Sequence, residues 1–222
     1  MLDDRDYMRR PPRYELQWSA TVLIIAINVV IFVIQNLLDF RSDSSIYDDF
    51  ALSVNGLKHG HVWQLITFQF LHAPLRAGGI FHILGNCFTI YVFGQAVEEA
   101  IGRFSFLKLY LLSGTLGGLL QMAASLFWPD HFGQSVVGAS AGASGLLAAF
   151  CALFPQRSLS MFFLPIELRA STLLWVSIGG TLIGIFLRNS AVAHCAHMGG
   201  ILTGLIYVRL ITHAQVPCNA PS

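Results

Sequence analysis

Several stretches of this chain run for roughly 20 residues with almost no charged side chain, about the length a helix needs to cross the ~30 Å hydrocarbon core of a bilayer. Only 11% of the 222 residues are charged and 55% are hydrophobic. Ordinary soluble domains carry roughly 25% charged residues, and the deficit leaves too little polar surface to coat a globule. A backbone in lipid must satisfy its own polar groups, so runs of this length cross as helices. The sequence therefore predicts an all-α, polytopic membrane protein. A net charge of +1 gives no case for a nucleic-acid partner. Cys87, Cys151, Cys195 and Cys218 are scattered singly, which is neither a disulfide framework nor a zinc pattern, and no metal or cofactor is expected.

Six spans can be drawn, at residues 19–40, 80–97, 104–127, 136–154, 168–187 and 193–211, forming one membrane domain over 18–211. Polar tails at 1–17 and 212–222 flank it. The first run exceeds the ~7–15 apolar residues of a signal-peptide core, and no small-x-small cleavage site follows, so it reads as retained. Residues 41–79 are too polar to span. Their amphipathic part, 57–72, carries Trp63, Leu65, Ile66, Phe68 and Phe70 and suits a segment lying in the membrane interface between helices 1 and 2. Six spans put both termini on one side. Arg5, Arg9, Arg10, Arg13, Arg103, Lys108, Arg157, Arg169 and Arg209 fall on that side, against Arg41, Lys58, Arg76 and Arg188 opposite. The positive-inside rule then makes both termini cytoplasmic.

Polar side chains inside the spans are candidates for function. The stretch 136–155, VVGASAGASGLLAAFCALFP, holds two hydroxyls, Ser140 and Ser144. Gly138, Gly142 and Gly145 recur along one face and would let a neighbouring helix approach closely. His82 and Asn86 sit at i, i+4 in the second span, and His194 and His197 at i, i+3 in the sixth, followed by Gly200 and Gly204. A serine is a weak nucleophile until a base lies within hydrogen-bond reach. Facing glycines, Gly200 and Gly204 on the histidine helix and Gly138 and Gly142 on the serine helix, would permit that approach. Glu98 and Glu99 lie at the opposite end of the second span, so no intramembrane acid completes a triad, and the residues point to a Ser-His dyad. Depth does not choose the serine. At ~1.5 Å per residue Ser140 lies ~22 Å and Ser144 ~16 Å from the inner end of their span, with His197 at ~18 Å in its own.

Three motifs in order resemble the rhomboid family of intramembrane serine proteases, over about residues 63–207. They are HILGN from His82 to Asn86, GASAGASGLLAAFCALFP from Gly138, and AHMGGILTG from Ala196; VWQLITFQFLHA, 62–73, resembles the loop between the first two helices. The resemblance implies a six-helix bundle and an endopeptidase that cuts transmembrane segments of other proteins, with membrane lipid around it. It aligns without a gap when Ser140 is the nucleophile, and His197, directly before Met198-Gly199-Gly200, takes the base position. His82 and Asn86 would stabilise the oxyanion, together with the Ser140 backbone N–H. His72 resembles a position near the mouth of the site. Two residues depart from the pattern: Ala141 stands where glycine is usual, and Ser144 where many members carry an aromatic that packs near the histidine. The lean build implies a bacterial inner membrane. The rival readings are an inactive rhomboid-like protein that binds membrane clients, and a small transporter or metal-handling protein using His72, His82, His194 and His197.

Overall fold

The computed structural model describes residues 18–41, 46–160, 167–187 and 192–215. Arg5, Arg9, Arg10, Arg13, Arg188, Cys218 and the tail at 1–17 lie outside the described residues. The chain is mostly helical. Ala20–Arg41 forms α1, followed by Ile46–Phe50 (α2), the short strand Leu52–Ser53 (β1), Val54–Lys58 (α3) and Gln64–Thr67 (α4). Gly79–Ile101 (α5) and Arg103–Phe127 (α6) come next, then Ser135–Val136 (β2) and Ser140–Leu153 (α7). Ser158–Ser160 (β3) pairs with Glu167–Arg169 (β4), and Ala170–Phe186 (α8) and His194–Gln215 (α9) complete the order.

Among the described residues four helices are long and apolar enough to cross a membrane: Ala20–Leu38 in α1, all of α5 and α6, and His194–His213 in α9. The other two expected spans form shorter apolar helices, α7 with 14 residues and α8 with 17. The difference at α7 has a local cause. Gly138 has φ +126°, a conformation that L side chains avoid, and residues 135–136 pair with β1 instead of joining the helix. At its other end α7 stops at Phe154, which precedes Pro155 and leaves the helical region. Gly102, at φ +80°, makes the turn between α5 and α6, so α5 continues through Glu98 and Glu99 rather than ending before them.

The segment expected to lie as one amphipathic stretch over 57–72 is a set of short turns docked on the bundle. Phe68, Leu71, His72, Gln64 and Gln69 are buried, while Val62, Trp63 and Ile66 are exposed. The Gln64 amide ties this segment together: Oε1 accepts from Ser53 N–H, and Nε2 donates to the Asp48 and Asp49 carbonyls. Gln35 of α1 holds the next stretch like a strand partner. Its Nε2 donates to the His72 carbonyl at 2.7 Å, and its Oε1 accepts from His72 N–H at 3.0 Å.

Glu98 does more than mark a helix end. Its carboxylate accepts from Ala20 N–H (2.7 Å), Thr21 N–H (2.9 Å), the Thr21 hydroxyl (2.7 Å) and the Ser19 hydroxyl (2.9 Å). A carboxylate supplied by α5 thus caps the amino end of α1, where backbone donors lack partners and the helix dipole favours negative charge.

α9 packs chiefly against α7 and α6, and the side chains that would separate them are missing. A Cβ at Gly200 would strike the Ala141 carbonyl, and one at Gly204 the Gly145 carbonyl. The small face of α7 is shared out differently from the sequence expectation. Gly142 faces Tyr110 of α6 and Gly138 faces His82 of α5, so Ala141 and Gly145 meet the histidine helix instead. Phe106, Tyr110, Leu146 and Phe150 fill the interior around this contact.

Candidate active site

The α7–α9 contact brings one serine to one histidine. The Ser140 hydroxyl and His197 Nε2 share a hydrogen bond at 2.8 Å. Ser140 is the first residue of α7, so the amide N–H groups of this turn have no carbonyl one turn back to accept them. The first bond of the ladder runs from Ala143 N–H to the Ala139 carbonyl. The hydroxyl therefore sits at the end of α7 that carries unpaired donors and partial positive charge.

The loop before Ser140 is pinned from outside. β2 pairs with β1, Val54 N–H donates to the Gln134 carbonyl, and Gly138 N–H donates to the Phe68 carbonyl at 2.9 Å. These bonds hold the backbone over a cavity of about 490 Å³ whose lining includes Ser140, His197, His82, Gln121, Val136 and Val137. His82 reaches the same place from α5. A Cβ at Gly138 would lie 2.8 Å from its Nε2, so glycine is required there by space as well as by φ.

The protonation of His82 follows from its other nitrogen. Ala73 N–H donates to Nδ1 at 3.3 Å, and a backbone amide can only donate, so Nδ1 is an acceptor. In the neutral ring the proton is then on Nε2, the atom facing Gly138. The bonds from Gln35 to His72 fix the extended segment that carries Ala73, so α1 helps to orient this imidazole. His72 itself is buried edge-on to Phe32 and against His82, with ring centroids 5.1 Å apart from the latter, and neither of its ring nitrogens has a partner among the described residues. Burial, helped by the proximity of His82, lowers its pKa to about 4.

The other expected site residues are placed less directly. Asn86 is buried one turn from His82, its Nδ2 unpartnered among the described residues, and it does not line the cavity. Ser144 lines a second cavity of about 280 Å³ with Thr181, His194 and His197, and Ser140 is not part of that lining. His194 stands edge-on to His197, centroids 6.1 Å apart at 84°.

A model of the rhomboid domain matches residues 59–214. The chain belongs to the rhomboid family. It is 30% identical over 137 residues to Rhomboid protein 1, mitochondrial, of Saccharomyces cerevisiae, covering 60% of this chain and 38% of that one. It is 28% identical over 130 residues to the mouse Presenilin-associated rhomboid-like protein, mitochondrial, covering 58% and 34%. Against Rhomboid-related protein 1 of Caenorhabditis elegans it is 32% identical over 163 residues, covering 71% and 42%. The chain thus spans well under half the length of these curated relatives. Two of the three are named as mitochondrial, which conflicts with the expectation of a bacterial inner membrane; what stands is a multi-pass membrane protein of a family that includes serine proteases.

Within this rhomboid domain the site also holds a residue that the motif reading passes over. Gln121 of α6 is buried, lines the cavity, and accepts from Ala196 N–H at 3.3 Å near the start of α9. Its signal was available, since an amide within an apolar run is as costly to bury as a histidine unless it is bonded.

Proposed function

We propose that this rhomboid is an intramembrane serine endopeptidase that cleaves transmembrane segments of other membrane proteins by a Ser140–His197 dyad. The observation that carries the reading is the 2.8 Å bond between the Ser140 hydroxyl and His197 Nε2 at the edge of a cavity shared with His82. Ser140 Oγ attacks the scissile carbonyl as its proton passes to His197. The carbonyl π electrons move onto oxygen, the tetrahedral oxyanion collapses, and the C–N bond breaks as His197 returns the proton to the departing amine. Water then adds to the acyl-enzyme by the same route, with His197 as base, and releases the acid and Ser140.

The oxyanion is stabilised by the N–H groups at the start of α7 and by His82 Nε2–H. We assign the further side-chain donor to Asn86, whose buried Nδ2 lacks an acceptor among the described residues. Neither metal nor cofactor has a part in this scheme. The membrane topology goes with it: six crossings, with α7 and α8 completing the set, and the short turns between α1 and α5 lying in the interface on Val62, Trp63 and Ile66. The ends of α5 and α6 at Arg103, with Arg157 and Arg169, then share the more positive, cytoplasm-like side with the start of α1 and the end of α9.

A serine-directed phosphonate probe tests the assignment. It should label the parent and Ser144→Ala but not Ser140→Ala or His197→Ala, and the parent should cut a model transmembrane substrate. Labelling that persists in Ser140→Ala and disappears in Ser144→Ala would overturn it. A parent that never labels or cuts would favour a client-binding protein.

A further inference from the structure

Among the described residues no acidic side chain bonds to His197, and its orientation needs another source. Nε2 is engaged by Ser140, and Nδ1 has no hydrogen-bond partner among the described residues. The ring lies between two cavities, about 490 and 280 Å³, that open on either flank. On the second flank α7 contributes Ser144 and Leu147, neither of which presents a ring to the imidazole. One ring does reach it. His194, a turn earlier on α9, presents an edge-on face at 6.1 Å, the separation and tilt at which aromatic rings attract.

His194 is itself held from behind. A Cβ built at Gly184 of α8 would fall on the His194 ring, so the imidazole rests directly against α8 backbone with no side chain between. A second tie fixes that end of α8, since His131 Nε2 donates to the Ile185 carbonyl at 2.8 Å. The three parts form a stack: α8 backbone, His194, His197.

We propose that His194 is a positioning residue that, backed by Gly184, holds the His197 imidazole in line with Ser140. The inference rests on the dyad reading above. It also makes the placing of α8 a determinant of the dyad's geometry, because displacement of α8 removes the backing of His194.

Turnover of a model transmembrane substrate and the rate of phosphonate labelling test it, in full-length protein in detergent. His194→Ala should lower kcat and the labelling rate on the order of tenfold, with KM little changed, since misplacing a catalytic group costs rate rather than binding. His194→Phe keeps a ring edge and should stay within about threefold of the parent. Gly184→Ala should slow the parent, yet add nothing in a His194→Ala background, because both act through one ring. Equal rates for His194→Ala and the parent, failure of His194→Phe to rescue, or additive losses with Gly184→Ala would each overturn the proposal. If the parent itself neither labels nor cleaves, the protease reading falls and the positioning role with it; if the parent is active and His194→Ala matches it, only the positioning role falls.

Discussion

Gly200→Ala is the smallest change that probes how α7 and α9 set the dyad. The added methyl would meet the Ala141 carbonyl, which belongs to the residue immediately after Ser140. A backbone oxygen cannot rotate away as a side-chain tip can, so the helices must separate. Ordinary van der Waals spacing requires a shift of roughly 1 Å, and a displacement of that size at a catalytic group can cost about 10²-fold in rate. The Ser140–His197 bond is 2.8 Å, so a shift of that order along the bond would carry it past hydrogen-bonding distance. Overpacking costs typically about 1–3 kcal/mol of stability, so the fold is checked alongside the rate. Gly204→Ala meets the Gly145 carbonyl one turn further on and should cost similar stability. Its effect on rate should be smaller, because the pivot lies further from His197. Gly179→Ala is the control: nothing lies within 4 Å of its added methyl, and replacing glycine within a helix should stabilise by about 0.5–1 kcal/mol. Cleavage rate, phosphonate labelling and thermal melting should be read together in detergent. Wild-type labelling by a folded Gly200→Ala would refute the claim that this contact sets the dyad.

Three further outcomes are expected. His82→Ala should lower kcat by about 10²–10³, as removal of an oxyanion donor does, and lower the melting temperature modestly because Ala73 N–H loses its acceptor, checked by steady-state cleavage and thermal melting. Glu98→Gln should leave the site intact but lower stability by about 1–2 kcal/mol, seen as a lower melting temperature, because the cap on α1 loses its charge against unpaired helix donors. His72 supplies a pH signature: its folded pKa of about 4 lies below the ordinary histidine value of 6.5, so the unfolded chain binds more protons between those two pH values. Its contribution is therefore present above pH 6.5 and lost as pH falls toward 4, up to about 3 kcal/mol on full titration, and His72→Phe should flatten the melting-temperature profile over that window.

The membrane class is legible from the shortage of charge alone, and Ser140, His82 and His197 are each conspicuous as polar groups in apolar runs. Their meeting is not legible from spacing alone and comes only through the resemblance to the family motifs, because it depends on where α7 begins. Depth measured from the inner end of the span gives no way to choose between Ser140 and Ser144, and only the alignment to the family motif favours Ser140; that α7 starts at Ser140 follows from Gly138, whose φ and contact with His82 delay the helix. Glu98 is misread from sequence as a span terminator for a related reason. A carboxylate near a helix end looks like a boundary signal, and its real partners lie on α1, 78 residues away in the chain for Ala20. Gln35, Gln64 and Gln121 escape notice because an amide's bonding partners are distant carbonyls and N–H groups that no local spacing encodes.

The shortness of α7 ties the fold to the chemistry. Its 14 residues reach only ~21 Å, against a hydrocarbon core of ~30 Å. With its lower end at Pro155 and Arg157 near one membrane surface, Ser140 would lie roughly 9 Å beneath the other. The irregular backbone of residues 133–139 must then descend to that depth, where an unpaired N–H or carbonyl facing lipid would be prohibitive. Such backbone survives only if it is bonded to protein or borders a polar cavity. The bonds of Val54 to Gln134, β1 to β2 and Gly138 to Phe68 meet the first requirement, and the cavity lined by Gly133, Ser135, His82 and Gln121 meets the second. A hydrolase needs water at its nucleophile, and a full-length span would have buried Ser140 in apolar packing. On the proposed protease reading, the truncation of α7 at Gly138 supplies three things together: a hydroxyl at a helix end rich in unpaired donors, a cavity with polar lining to admit water, and a depth at which a substrate helix could be cut. Extending α7 upward, as Gly138→Ala would favour, should close the cavity and abolish labelling even in protein that remains folded.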